Sequence, residues 1–273
     1  MSFSTAPART SPTSSDPARP GAGTDAAAIE LRGVVKRFYH YEHRTTRLSE
    51  LFVRVLKRQA VHVRTAHFQI SGLSMRVERG EAVALIGANG AGKSTALRIM
   101  AGIYPPSEGK VLRRGRLVAV LELGATFQPD LSGTENVALY AAALGFGRRE
   151  VAARYDEIVA FAEIQEFMDV PLRYYSSGMR ARLAFAVALC SDPDTLLLDE
   201  VLAVGDESFR GRCMERLHGF HEAGGTMVIV SHDLDSVRTL CSRAIWLEAG
   251  RLRMSGSMDE VASAYEAEAR GEA

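Results

Sequence analysis

The stretch Gly87-Ala88-Asn89-Gly90-Ala91-Gly92-Lys93-Ser94-Thr95 constrains this chain more than any other. The apolar run Ala82–Ile86 precedes it and the helix-like Ala96–Met100 follows, so it reads as strand, glycine-rich turn and helix. Such a turn aims backbone N–H groups at one spot, and the open helix N-terminus adds partial positive charge. The spacing G-x-x-x-x-G-K-[ST] is that of a phosphate-binding loop. Gly87, Asn89, Gly90, Gly92 and Thr95 form the cradle, Lys93 reaches the β- and γ-phosphates of a nucleotide, and Ser94 offers a hydroxyl to Mg²⁺. The alternative is an ordinary glycine-rich turn before a helix. Lysine usage argues against it: the chain has only four lysines among 33 basic residues, and a compact ammonium fits between phosphate oxygens where a planar guanidinium does not.

A length of 273 residues with 47% apolar content supports one large α/β domain or two small ones with a substantial core. Basic and acidic residues balance at 33 each, which gives no support for nucleic acid as the main partner. Cys190, Cys213 and Cys241 lie far apart without C-x-x-C spacing, so they read as reduced, partly buried thiols. No apolar run reaches the roughly 18–20 residues of a membrane-spanning helix. Residues 1–28 hold Pro7, Pro12, Pro17 and Pro20 among Ser, Thr, Ala and Gly, and read as a disordered leader without the apolar core of a secretory signal.

Along the chain, Ile29–Val35 alternates as a strand and ends at Lys36-Arg37-Phe38-Tyr39. An aromatic there could stack on a nucleotide base or pack in the core; Phe38 is the first choice and Tyr39 the second. In an insertion of about residues 43–66, Leu48, Leu51, Phe52, Val55 and Leu56 make one apolar stripe flanked by Arg47, Arg54, Lys57 and Arg58. Such a basic amphipathic helix suits a membrane surface, a groove on a membrane partner, or this protein's own core. Phe68–Val77 is strand-like, and Glu78–Glu81 reads as a hairpin turn into the loop strand. Three strands before the loop then suggest a small antiparallel sheet beside the main one. Strands at Gly109–Val111 and Gly115–Leu121 follow, then a block of helices at about residues 130–190, with Ser132 or Thr134 capping Glu135–Leu144.

Alternation returns at Thr195–Leu198, a buried-strand pattern that ends in Asp199-Glu200. Ligands of open α/β sheets sit beyond the carboxyl ends of strands, so Asp199 is placed to hold Mg²⁺ and Glu200 to orient and polarise an attacking water. Thr226–Val230 ends in Ser231-His232-Asp233 on the same edge, where His232 could donate to the γ-phosphate or the water. A hairpin around Gly250 and a capping box at Ser257–Glu260 lead into a last helix ending near Glu266, with a short tail at 267–273. Upstream, Tyr175-Ser176-Ser177-Gly178-Met179 introduces the helical Arg180–Cys190 and makes a second anion site. One nucleotide does not need both sites. A head-to-tail pair of subunits, each offering its Ser176 helix to the γ-phosphate on the other, uses both.

This constellation resembles the ABC ATPases. Tyr-Ser-Ser-Gly-Met looks like a variant of their L-S-G-G-Q signature in which Ser176 and Gly178 keep the contact-making places. The phosphate loop, Asp199-Glu200 and His232 fall in the family's order, and the resemblance covers about residues 29–266. Arg182–Ala188 and Asp199–Asp206 are similar to the ATPases that power export of O-antigen, teichoic acid and capsular polysaccharides. The resemblance implies a P-loop fold with a RecA-like, mostly parallel core sheet, an antiparallel β-subdomain and an inserted helical subdomain. It also implies ATP and Mg²⁺ as ligands, a homodimer, and a separately encoded transmembrane permease that handles the polysaccharide at the cytoplasmic face of the inner membrane. Lys93, Mg²⁺ and the partner's Ser176 helix should dominate catalysis there. Asp206 sits where the family's D-loop aspartate lies. The Q-loop text is replaced by Leu121–Gln128, where Glu122 is favoured over Gln128 as the residue sensing Mg²⁺. Some of these exporters append a carbohydrate-binding domain, and the seven residues after Glu266 leave no room for one.

Overall fold

The computed structural model describes residues 27–40, 65–121, 124, 126–200, 206–231 and 233–271. Its strands are β1 (Ile29–His40), β2 (Thr65–Val77), β3 (Ala82–Ile86), β4 (Glu108–Arg113), β5 (Leu117–Val120), β6 (Thr195–Asp199), β7 (Thr226–Val230), β8 (Arg243–Glu248) and β9 (Arg251–Ser257). The helices are α1 (Lys93–Met100), α2 (Gly133–Ala143), α3 (Arg148–Ala162), α4 (Ser177–Cys190), α5 (Glu207–Glu222), α6 (Leu234–Leu240) and α7 (Met258–Ala269).

Every residue of β3 is apolar and buried, which suits only a strand covered on both faces. It lies inside a six-stranded sheet of order β5-β6-β7-β3-β8-β9, parallel except for the antiparallel β8–β9 edge. Side chains alternate across the sheet. Ala82, Ala84 and Ile86 join Leu196 and Leu198 in a core shared with α2, α3 and α4. Val83, Leu85, Leu197 and Val228 join Leu97 and Met100 of α1 and residues of a smaller sheet in a second core. The result is the α/β architecture that the motif order implies, with a helical block between β5 and β6.

The smaller sheet is antiparallel, of order β2-β1-β4. Its third strand therefore comes after the phosphate loop, not before it: β3 belongs to the main sheet, and Glu78–Glu81 crosses between sheets and closes no hairpin. Sequence adjacency suggested otherwise, but a strand apolar on both faces cannot sit in a three-stranded sheet with one face open. Ala27 and Ala28, just before β1, are buried, and Ala28 N donates to Val77 O at 2.9 Å. The amphipathic stretch at 48–56 and residues 1–26 of the leader lie outside the described residues.

Helix ends follow local chemistry. Ser132 caps α2 in a reciprocal box with Glu135, so Ser132 and not Thr134 starts it. Ser176 caps α4 by accepting from Met179 N at 3.1 Å, which draws Ser177–Met179 into the first turn and begins the helix earlier than the Arg180 start expected. Helix α7 starts after Ser257 and runs past Glu266 to Ala269; Glu266 pairs with Arg238 and Glu268 with Arg253. The three cysteines are free and buried, and burial pushes their thiols up to about 11 for Cys190 and about 12 for Cys213 and Cys241.

One buried polar residue fastens the entry to the helical block. Asn136 is fully buried, its Nδ2 donates to Gln128 O, Leu131 O and Ser132 O at 2.9–3.0 Å, and its Oδ1 accepts from Gln128 N at 2.8 Å. Removing the amide leaves the part-buried Gln128 N–H without its acceptor, while the three carbonyls keep only the backbone donors of Leu131, Leu172 and Asn136. Asn136→Ala is expected to cost about 3 kcal/mol of stability in urea titration. A loss below about 1 kcal/mol contradicts this account of the loop.

Candidate nucleotide site

Where β3 ends, Gly87, Gly90 and Gly92 all take positive φ (145°, 81° and 103°). Two of them are also held by close backbone approach. A Cβ on Gly87 would lie 2.2 Å from Leu247 O, and one on Gly92 would lie 2.7 Å from Gln69 O. Gly92 is the N-cap of α1 and has no side chain to cap it, so the first-turn N–H groups are available to an anion.

Lys93 folds back over this turn, its Nζ donating to Gly87 O at 2.7 Å and Ala88 O at 3.1 Å. The side chain is only 6% exposed. Burial lowers its pKa below the ordinary value, opposed by the charges of Glu200 and Asp199. Next to it, Ser94 Oγ donates to Asp199 Oδ1 at 3.2 Å, joining the phosphate loop to the end of β6 across 105 residues of sequence. Burial raises the Asp199 pKa, the Ser94 hydrogen bond opposes it, and the neighbouring Glu200 raises it further. Thr95 Oγ1 stands 3.5 Å from Gln69 Oε1, at the outer limit of a hydrogen bond.

Glu200 is exposed and adopts φ +55°, with its N–H donating to Val230 O at 2.9 Å. A non-glycine residue in the left-handed region costs about 1–3 kcal/mol. Here that turn lifts the carboxylate off the end of β6, and Glu200 joins a short list of strained positions commonly found at reaction centres. Strand β7 lies between β3 and β6, so its end emerges between the loop and the two acids. His232, which follows it, and Glu122 both lie outside the described residues.

The second anion site forms elsewhere. Ser176 is exposed at the N-terminus of α4, with Gly178 in the first turn and no acidic residue there. Tyr175 anchors this turn from below, buried and donating to Phe167 O at 2.6 Å. Among the described residues no hydrogen bond or ion pair joins Ser176 or Gly178 to residues 87–95. Asp206 caps α5 by accepting from Phe209 N at 2.9 Å, while its other oxygen pairs with Arg182 of α4. Arg182 also reaches Glu163 at 3.4 Å. Sequence reasoning met Arg182 only as the first residue of the stretch Arg182–Ala188 and gave it no role.

A family model described as ABC transporter matches residues 70–203. An O-antigen export system ATP-binding protein, RfbB of Klebsiella pneumoniae, is 41% identical over 237 residues, spanning 87% of this chain and 96% of that protein. The chain belongs to the ABC transporter family of ATPases. RfbB of Myxococcus xanthus is 43% identical over 241 residues, covering 87% of this chain and 55% of its own length. Among solved structures, the dimeric ATP-binding cassette MJ0796 bound to ADP and Pi aligns with TM-score 0.66, covering 84% of this chain and 98% of that one. At 23% identity it shares the fold.

In this ABC ATPase the ring of Phe38 packs edge-to-face on Tyr104, centroids 5.4 Å apart, with Lys36 Nζ 5.0 Å above it. Tyr104 follows the C-terminal end of α1, opposite to the end where the loop lies. The side chain of Tyr39 is outside the described residues. Gln128 is exposed and held only through its backbone by Asn136. Among the described residues no helix is long and apolar enough to cross a membrane.

The depressed Lys93 pKa fixes a pH dependence. Phosphates arriving beside the ammonium raise that pKa again, so between the depressed value and the ordinary 10.5 the complex holds more protons than the free protein. ATP binding should therefore take up protons in alkaline solution, and affinity should fall as pH rises through the depressed value. Calorimetry in two buffers of different ionisation enthalpy reads the uptake directly; zero uptake contradicts the assignment of Lys93.

Proposed function

We propose that the chain is the ATP-hydrolysing subunit of an exporter that moves a lipid-linked polysaccharide across the cytoplasmic membrane. The observation that carries the chemistry is the Ser94–Asp199 contact at 3.2 Å beside a buried Lys93, which brings a hydroxyl, a carboxylate and an ammonium to one strand edge. Hard oxygen donors of this kind, few in number and next to a phosphate cradle, fit Mg²⁺, which prefers one or two protein ligands plus substrate phosphates. Ser94 and Asp199 would hold the ion, with Glu122 as a further ligand; when bound it neutralises charge on the β- and γ-oxygens.

ATP places its phosphates over Gly87–Thr95, where the N–H groups of the turn and Lys93 balance their charge. Glu200 accepts a hydrogen bond from the attacking water and orients it in line with the γ-phosphorus, and His232 donates to the γ-phosphate or to that water. Phe38 serves as the base-stacking aromatic, a role that requires its ring to leave Tyr104. The site is half a site. Ser176 and Gly178 have no partner at their own chain's loop, so two copies pair head-to-tail around two ATP molecules, each α4 N-terminus facing the other's γ-phosphate. Asp206 lies at the same interface. ATP binding closes this dimer and hydrolysis reopens it.

Cargo and partner rest on the relatives named for O-antigen export, at 41–43% identity. A separately encoded permease spans the membrane, and this subunit works at its cytoplasmic face. Export of another lipid or peptide is the second reading. Co-purification with a multi-spanning membrane protein encoded beside glycosyltransferases supports the first; a partner from a locus without them overturns the polysaccharide assignment.

Glu200→Gln tests the mechanism. The variant should bind ATP with near-unchanged affinity, lose turnover by about 100-fold or more, and accumulate as a closed dimer in size-exclusion chromatography with ATP. Normal turnover rejects Glu200 as the water-orienting residue.

A further inference from the structure

We propose that Gly250, at the tip of the β8–β9 hairpin, is a positioning residue that sets the shape of the phosphate loop from behind. It contacts no phosphate-binding side chain. Its N–H donates to Ala91 O at 2.9 Å, in the middle of the loop, and its carbonyl accepts from Ser71 N of β2 at 2.8 Å. One residue thus ties the loop to the antiparallel sheet through the two peptide groups on either side of its Cα.

The contacts around it are backbone on backbone. Gly250 takes φ +75°, and a Cβ there would lie 2.5 Å from Gln69 O, 2.9 Å from Gln69 C and 3.0 Å from Ile70 Cα. None of these atoms can rotate aside as a side chain would. The same Gln69 carbonyl also lies close to Gly92, where a Cβ would stand 2.7 Å away, and the Gly92 Cβ position is 3.6 Å from Gly250 Cα. The carbonyl therefore packs against both the hairpin tip and the residue that precedes Lys93. At the other end of the loop, Gly87 leans on Leu247 O of the same hairpin. Residues 247–250 back the first glycine and the middle carbonyl directly and the last glycine through Gln69.

An added methyl group at 250 has two escapes. It pushes Gln69 toward Gly92, which turns the first N–H groups of α1 away from their common focus, or it lifts the hairpin tip and breaks the bond to Ala91. Both misdirect the N–H groups that hold the phosphates, and charge-assisted hydrogen bonds of this kind weaken ATP binding when their donors no longer converge.

The inference rests on the reading that Gly87–Thr95 binds nucleotide phosphates, and the test separates the two. Binding of MgATP is titrated for the parent chain, Gly250→Ala, Gly224→Ala and Lys93→Ala, with thermal melting of each. Gly224 is the matched control: it has φ +85°, yet nothing lies within 4 Å of its Cβ position. Gly250→Ala should raise the Kd and KM for ATP at least about tenfold, with kcat at saturating ATP within about threefold, while Gly224→Ala leaves both constants unchanged. An unchanged Kd in Gly250→Ala, or an equal loss in Gly224→Ala, overturns the proposal. Unchanged binding in Lys93→Ala overturns the reading beneath it instead. If Gly250→Ala does not fold, hydrogen exchange on the unaltered protein decides: ATP should slow exchange of the Gly250 amide, and no slowing rejects the link to Ala91.

Discussion

A buried ammonium that donates to two peptide carbonyls and faces two acids is the interaction around which this molecule is arranged. Lys93 keeps its charge against a desolvation that lowers its pKa, and what offsets that cost is the pair of carbonyls at Gly87 and Ala88 together with the acids at 199 and 200. Carbonyls stabilise an ammonium less than phosphate oxygens do, because they carry partial and not whole negative charge. The cradle thus favours an anion. Its geometry depends in turn on a strand buried on both faces, since only a central strand can deliver a loop to a sheet edge with acids arriving two strands away.

Strand order does the rest. With β7 between β3 and β6, the loop and the Asp199 end stand about two strand spacings apart, roughly 10 Å, and the Ser94 hydroxyl closes the gap by reaching from the helix that the loop begins. Glu200 then departs from strand geometry immediately, its positive φ anchored by the N–H bond to Val230 of the intervening strand. The strain is local and the anchor is the neighbour, so the carboxylate's direction is set by the sheet itself.

Much of this was legible in the sequence because it depends on short-range chemistry. The loop spacing, the buried runs at Ala82–Ile86 and Thr226–Val230, and the Ser257 cap of the last helix each carry their own signal within a few residues, whereas the residues alone do not choose between Ser132 and Thr134 as the cap of α2. The small sheet was misjudged because pairing is a tertiary choice: β1 takes β4 as its second partner across an intervening helix, and nothing near Glu108–Arg113 announces it. The glycines show the same division. Gly92 could be read from the loop pattern, yet the carbonyl of Gln69 that forbids a side chain there comes from another sheet, and Gly250 reads from sequence only as a hairpin turn. Phe38 was legible as an aromatic at a strand end, but its partner Tyr104 was not.

The helix that Ser176 begins and the helix that Asp206 caps are also mechanically connected. Asp206 divides its carboxylate between the first turn of α5 and the guanidinium of Arg182 on α4, and both contacts hold its pKa below the ordinary carboxylate range. Arg182 lies against the ring of Phe209, itself fully buried between Phe161 and Phe185. The start of α5 therefore cannot shift without disturbing α4, the helix whose exposed Ser176 end is offered to a second copy in the proposed dimer. Glu200 is tied by its N–H to Val230 of the main sheet, and Asp206, six residues on, is tied to Arg182 of α4. In the proposed dimer the water-orienting acid and an interface residue are thus each held by an element that bears on the site, one by the sheet and the other by the helix offered to the second copy.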